Sequence, residues 1–234
     1  MLATGELLSK DRLAECYRVF RDRFAPDVLQ RLDGEALLDT MHKHGVGDSL
    51  VYWLEFKDDQ ELPAAFGSIS GGCALKFGIY KRQETGEWTT GSPQHQRAIS
   101  VDEAVTIART HRDQLIRGTE LLKAFATPAD EAAYWQLQRD MDTEAPDVSR
   151  LAWGHKYFSM LFPETLDDFH SPAYQRYHLV RALQMPFVLV ACVSGPWTEC
   201  PNSRVPDPFV QPLATDYSLF SSSPAFFNLS SYHS

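Results

Sequence analysis

The stretch AISVDEAVTIARTHRDQLIRGTELLKAF (residues 98–125) predicts a long helix. It opens with Ser-Val-Asp-Glu at 100–103, a capping box in which the serine oxygen accepts a bond from a free backbone N–H and the glutamate reaches back. Five apolar side chains then fall on one stripe: Val101, Ala104, Ala108, Leu115 and Leu122. We therefore expect a helix from residue 101 to about residue 125 that buries one face.

Helical patterns also flank this stretch. Residues 9–23 and 26–42 are predicted to form an N-terminal helix pair, with Pro26 near the start of the second helix. Three further helices are predicted downstream: one that begins at Thr127-Pro128, one over 149–161 and one that begins at Ser171-Pro172.

Strand patterns lie between the two helical regions. LVYWLEF (50–56) is rich in β-branched, aromatic and leucine residues, as strands are. AAFGSISGGCALKFGIYKR (64–82) predicts two strands joined by a hairpin at Gly71-Gly72. ETGEWTTGS (84–92) adds a turn and a short strand. The predicted fold class is α+β, a small antiparallel sheet flanked by an N-terminal helix pair and a C-terminal group of helices.

Charge divides the chain near Met185-Pro186. Residues 187–234 carry only Glu199, Arg204, Asp207 and Asp216, and they show neither helical nor strand periodicity. We expect residues 1–186 to form one recognition-type domain, with helices over 9–43, a sheet over 50–91 and helices over 101–184. The tail, 187–234, is expected to be irregular.

Composition limits the kind of partner. The net charge is −9, which argues against a broad phosphate-binding face but leaves room for a local basic patch. The four cysteines are scattered, with no metal-binding or redox spacing, which favours free thiols in a reducing compartment. No signal peptide is visible, and FVLVACV (187–193) is too short to span a bilayer. We expect a soluble cytoplasmic protein with no membrane partner.

The stretch LKFGIYKR (75–82) alternates cations and aromatic rings, a combination that can hold a nucleic-acid backbone and stack on a base. The candidate nucleic-acid-binding residues are Lys76, Tyr80, Lys81 and Arg82, with Trp53 and Trp88 on neighbouring predicted strands as walls for a flipped base. The alternative interpretation is a half-buried strand with extended lysine side chains and two tryptophans packed in the core.

Glu55-Phe-Lys57 resembles half of a metal-dependent nuclease site at a strand end. Such a site needs a second carboxylate on a preceding strand, and the sequence offers none. His42 and His44 lack a nearby third ligand for a metal ion. His155 and His178 are expected to be partly buried and hydrogen-bonded. We therefore predict no catalytic residue, no metal site and no cofactor in this chain.

Two stretches resemble a known family. WGHKYFSMLFPETLDDFHSPAYQRYHLVRAL (153–183) and DSLVYWLEFKDDQELPAAFGSISGGCALKFGIYKR (48–82) are similar to the region upstream of the motor in McrB-type AAA+ ATPases. Those proteins belong to modification-dependent (5-methylcytosine) restriction systems. The resemblance covers roughly residues 20–185, and its motifs are aromatic and structural rather than catalytic.

The resemblance implies a division of labour. In such systems the N-terminal module recognises DNA, often a methylated base, while an AAA+ ring hydrolyses nucleotide and a separate subunit cuts. This chain contains no GxxxxGK[ST] motif, so we expect a form truncated before its motor, without catalytic activity of its own. Its expected partners are DNA and an AAA+ motor or nuclease subunit. The alternatives are a stand-alone metal nuclease that uses Glu55 and Lys57, or a protein-interaction domain that binds no nucleic acid.

Overall fold

The computed structural model describes residues 9–44, 47–57, 66–69, 71, 74–92, 94–125, 130–178 and 180–181. These residues fall into two compact units that divide between Ser171 and Pro172. Within these ranges, the first unit contains seven α-helices and a three-stranded antiparallel sheet, so the α+β class is confirmed. In the second unit, residues 172–178 are helical. Among the described helices, none has both the length and the apolar character that a membrane crossing requires. The predicted tail, 187–234, lies outside the described residues.

The N-terminal helical region differs from its prediction in one respect. Helix α1 (Lys10–Phe24) forms as expected, but the second helix is two helices, α2 (Pro26–Leu29) and α3 (Gly34–His42). Asp33 has extended backbone angles, and its carboxylate accepts a hydrogen bond from the first N–H of α3 at 2.8 Å. This N-cap begins a new helix where the pattern predicted a continuous one.

The strand predicted over 50–56 is wrong. Helix α4 (Leu50–Tyr52) continues directly into a π-helical turn, Trp53–Lys57, which we call the π turn. The Ser49 hydroxyl caps α4 by accepting a bond from the Tyr52 N–H at 3.3 Å. The apolar residues of this segment are buried because they pack into the core. Burial of this kind overrides the strand propensity of the residue types.

The sheet lies later in the chain than predicted. A 3₁₀ turn (Ala74–Phe77) leads into β1 (Ile79–Lys81), which pairs with β2 (Trp88–Ser92), which pairs with β3 (His95–Ile99). The hairpin predicted at Gly71-Gly72 is not supported, because the described residues before it, 66–69, form no strand. The turn and short strand predicted over 84–92 are confirmed, whereas β3 extends the sheet past the predicted limit at residue 91.

Three helices follow the sheet: α5 (Val101–Ala124), α6 (Glu131–Glu144) and α7 (Ala152–Leu161). Ser100 caps α5 as predicted, since its hydroxyl accepts a bond from the Glu103 N–H at 3.1 Å. The Glu103 carboxylate forms an ion pair with Arg97 of β3. Thr127-Pro128 lies outside the described residues, and α6 is capped by Asp130.

Helix α5 is the centre of the first unit and packs against α2, α3, α6 and α7. Four residues of its predicted stripe are buried, Ala104, Ala108, Leu115 and Leu122, whereas Val101 at the first turn is 45% exposed. Gly118 permits the close approach of α7, because a Cβ at this position would lie 2.5 Å from the Phe158 ring.

Four aromatic rings join α1, the π turn and α7: Phe20, Phe24, Trp53 and Tyr157. The Tyr157 hydroxyl donates a hydrogen bond to the Phe24 carbonyl at 2.9 Å, so this buried polar group is satisfied. Burial in the apolar cluster raises the pKa of Tyr157 well above its ordinary value. The aromatic cluster therefore fixes the π turn between two helices.

Alanine substitutions at Gly78 and Gly86 test how closely α5 packs against the sheet. Both have positive φ, +83° and +71°. A Cβ at Gly78 would lie 2.6 Å from His111 of α5, whereas a Cβ at Gly86 would meet nothing within 4 Å. Gly86→Ala should therefore lower the free energy of unfolding by about 1–2 kcal/mol through backbone strain alone. Gly78→Ala should lose a further 1–3 kcal/mol or so, because the methyl group overpacks the interface. Urea unfolding measures both losses, and equal losses would contradict this account of the packing.

Candidate nucleic-acid interface

A cleft of about 590 Å³ opens beside the sheet, between the strand β1 with its following turn and the end of the π turn. Three of the six predicted nucleic-acid-binding residues line it: Tyr80, Lys81 and Arg82. Other lining residues come from β3 and from the region before the sheet, namely Gln96, His44 and Phe56. The structure thus brings half of the predicted set together in one concave surface.

Cross-strand hydrogen bonds hold the polar groups of the cleft in place. The Tyr80 hydroxyl donates to Gln96 Oε1 at 3.1 Å, and Arg82 Nη2 donates to the same oxygen at 3.0 Å. Arg82 Nε donates to Thr89 Oγ1 at 3.2 Å. Because the guanidinium is bound at two points, its planar fork is already oriented before any ligand arrives. Sequence reasoning missed Gln96 because it did not predict strand β3, which carries this side chain.

The cations of the cleft differ in environment from several described arginines that have carboxylate partners. Arg97 and Arg109 form ion pairs with Glu103 and Asp33. In the part of the chain that the structure describes, no carboxylate forms an ion pair with Lys81 or Arg82. Among its described lining residues, the cleft contains one carboxylate, Glu84. Its two cations therefore retain positive charge that an anionic ligand can neutralise.

Lys76 does not reach the cleft, because its ammonium group is bound inside the protein. It forms an ion pair with Glu55 Oε1 at 2.5 Å and donates to the carbonyls of Ile69 at 2.7 Å and Gly71 at 2.9 Å. Glu55 is only 6% exposed, and a buried carboxylate needs a compensating charge. The three bonds use all three ammonium hydrogens, so in this structure Lys76 holds Glu55 and the segment that contains Ile69 and Gly71 in place.

Both predicted tryptophans face the core. Trp53 is 9% exposed and Trp88 is 4% exposed. The Trp53 ring packs against Phe20 and Phe24, and the Lys81 ammonium lies 5.8 Å from the centroid of the Trp88 ring. Neither ring presents an open face to a base in this arrangement. The aromatic side chains that line the cleft are instead Tyr80 and Phe56.

Glu55 and Lys57 are not positioned as the nuclease alternative expected. They lie on the π turn rather than at a strand end, and they have different partners. Glu55 is paired with Lys76, whereas the Lys57 ammonium lies 4.9 Å from the centroid of the Trp53 ring. Among the residues with described positions, no group of three potential ligands could hold a metal ion.

Four of the histidines form two buried pairs. His170 Nε2 lies 2.6 Å from the Phe66 carbonyl and donates to it, so His170 Nδ1 accepts the 3.0 Å hydrogen bond from His155 Nδ1. His111 Nδ1 lies 3.4 Å from His42 Nε2. Burial lowers the pKa of His155 to about 3 and the pKa values of His111 and His170 to about 4. The prediction of burial and hydrogen bonding is correct for His155, whereas His178 is exposed.

Comparison with protein-family models, curated proteins and solved structures finds no match to this chain. An assignment of function therefore depends on the geometry of the cleft and on the sequence resemblance described above.

The buried histidines predict a pH dependence of stability. The unfolded chain binds a proton at each of them below about pH 6.5, whereas folded His111 stays neutral until about pH 4. Stability should therefore be fully present above pH 6.5 and decrease as the pH falls towards 4, by roughly 3 kcal/mol for His111 alone. Urea unfolding at several pH values measures this. The variant His111→Phe should show a smaller slope in this window, and an unchanged slope would contradict the assignment.

Proposed function

We propose that this chain is the DNA-recognition module of a McrB-like, modification-dependent restriction system that acts in the cytoplasm, and that the cleft beside the sheet is its DNA contact. The observation that supports this best is the arrangement of four side chains in the cleft. The Arg82 guanidinium and the Tyr80 hydroxyl are both bound to the Gln96 amide oxygen. Lys81 lies beside them and has no carboxylate partner among the described residues. The sequence resemblance supports the same class of function.

The proposed roles follow from the chemistry of each side chain. Lys81 is exposed, so its ammonium group can contact a phosphate, and its charge supplies affinity that does not depend on sequence. Arg82 carries planar N–H donors that can recognise the acceptor atoms of a base edge, and Gln96 Oε1, which accepts from Tyr80 and Arg82, holds the guanidinium in that orientation. The cleft volume of about 590 Å³ falls in the range of small-ligand sites, so it can accept a single nucleotide that has left the stack. Tyr80 and Phe56 would contact the base.

The net charge of −9 restricts this contact to a small area. A long basic face would bind any nucleic acid strongly, whereas a site with two cations binds weakly unless the base contacts add to it. This suits a sensor of one modified base whose affinity is increased by assembly with a partner. Hydrolysis of nucleotide and cutting of DNA are assigned to a motor subunit and a nuclease subunit of the same system.

Charge reversal at Lys81 tests the DNA contact. Lys81→Glu should weaken binding of a fluorescein-labelled duplex by about tenfold or more, because a phosphate contact becomes a repulsion. It should also reduce the slope of log affinity against log salt by about one. Fluorescence anisotropy at about 50 and 200 mM salt measures both effects. The matched control is Lys123→Glu, in the last turn of α5 and away from the cleft, which should leave affinity unchanged.

Two outcomes would contradict the proposal. Equal losses in Lys81→Glu and Lys123→Glu would place the DNA contact elsewhere. No binding to methylated or unmethylated duplexes by the unsubstituted protein at the lower salt concentration would favour the alternative function, a protein-interaction domain.

A further inference from the structure

His44 follows the end of α3 and lines the cleft beside the sheet. Its side chain is only 13% exposed, and the Phe77 ring of the 3₁₀ turn packs against it with 5.4 Å between centroids. Within the described part of the chain, neither ring nitrogen has a hydrogen-bond partner. A buried polar group normally forms a hydrogen bond, so this imidazole keeps unused capacity to hold a proton.

A buried ion pair lies next to this ring. Glu55 Oε2 is 4.0 Å from His44 Nε2, while Glu55 Oε1 is bound to the Lys76 ammonium at 2.5 Å. Glu55 and Lys76 are not among the described residues that line the cleft, whereas His44 is. His44 therefore connects the buried carboxylate with the cleft. The distance of 4.0 Å is too long for a hydrogen bond, but a proton on Nε2 would turn this approach into an ion pair.

Opposing influences set the charge of His44. Burial is the largest of them and lowers the pKa of the ring below its ordinary value, and the Lys76 ammonium lowers it further. The Glu55 carboxylate and the nearby backbone of His42 act in the opposite direction. The His42 ring is fully buried, and its pKa lies well below the ordinary value, so it stays neutral. The His44 ring is therefore neutral at pH 7 while the cleft is empty of anions.

An anion in the cleft would change this balance. The charged groups among the described lining residues are Lys81, Arg82 and Glu84. A nucleotide phosphate that enters beside them brings a negative charge near the His44 ring, which favours the protonated form. The protonated ring in turn attracts the phosphate, because the two effects are one coupling free energy. This coupling depends on the change of charge at one residue and not on the net charge of the surrounding surface.

We propose that His44 couples DNA binding to proton uptake, so that the ring gains a proton from solvent when a nucleotide phosphate occupies the cleft. Both ring nitrogens then carry a hydrogen, and Nε2–H donates to Glu55 Oε2 while Lys76 stays on the other oxygen. The inference rests on the proposed function and adds a regulator to it. Affinity for DNA should rise as the pH falls from about 8 to about 6.

The first test counts protons on the unsubstituted protein. Isothermal titration calorimetry with a short duplex at about pH 7, in two buffers of different ionisation enthalpy, gives the number of protons taken up on binding. A fraction of one proton is expected. The matched control is His95→Gln, an exposed histidine of β3 outside the cleft lining, which should take up the same fraction. His44→Gln should take up none and should bind the duplex with unchanged affinity at about pH 8.

The dependence of affinity on pH is the second readout. Fluorescence anisotropy at about 50 mM salt should show affinity rising about threefold or more between pH 8 and pH 6, and staying constant in His44→Gln. His111 and His170 do not contribute, because they stay neutral down to about pH 4. A third readout needs no variant. The NMR resonances of the His44 ring, assigned through bonds, should move towards their protonated positions when duplex is added at about pH 7.

Three results would overturn the inference. Duplex binding without proton uptake would remove the role of His44 and leave the cleft as a DNA contact. Proton uptake that persists in His44→Gln would place the proton on another group, again without affecting the DNA contact. Absence of duplex binding at both ends of the pH range would overturn the proposed function together with this inference.

Discussion

The close contact between α5 and α7 at Gly118 is the constraint on which the rest of the first unit depends. Without a side chain at this position, the Phe158 ring reaches the surface of α5, and α7 can bring Trp153 and Tyr157 into the core. Tyr157 then bonds the end of α1, and Trp153 packs against Phe77, next to the sheet. The position of α5 thus determines where the helices and the sheet meet.

The buried ion pair of Glu55 and Lys76 is the second organising interaction. It joins the π turn to the 3₁₀ turn before β1, with Lys76 also bound to two carbonyls. A single unpaired carboxylate in this position would be strongly destabilising, so the pair must form for the chain to fold in this way. Its consequence for the cleft beside the sheet is that the π turn is held with Phe56 in the lining.

Sequence patterns predicted secondary structure correctly where the signal was local, and wrongly where tertiary contacts determined it. The capping serine and the apolar stripe predicted a helix from residue 101 to about residue 125, and α5 ends at Ala124. The prediction succeeded because both signals come from residues close together in the chain. The segment 50–56 has the composition of a strand, yet it is helical because several of its faces are buried at once. The division between α2 and α3 depends on the extended backbone of Asp33, which periodicity does not show. For the candidate site, the sequence identified Tyr80, Lys81 and Arg82 but also Lys76, since a list of cations does not show which one has a buried carboxylate partner.

The sequence by itself determined the α+β class, the position of the longest helix described and the basic, aromatic stretch that lines the cleft. These follow from composition and from the spacing of residues close together in the chain. Only the tertiary structure decided that Gln96 joins Tyr80 and Arg82, that Trp53 and Trp88 face the core, and that Lys76 is bound to Glu55. Each of these depends on residues that are distant in sequence and become neighbours through burial of the apolar core. The charge and hydrogen-bonding capacity left after that burial determine what the surface can bind.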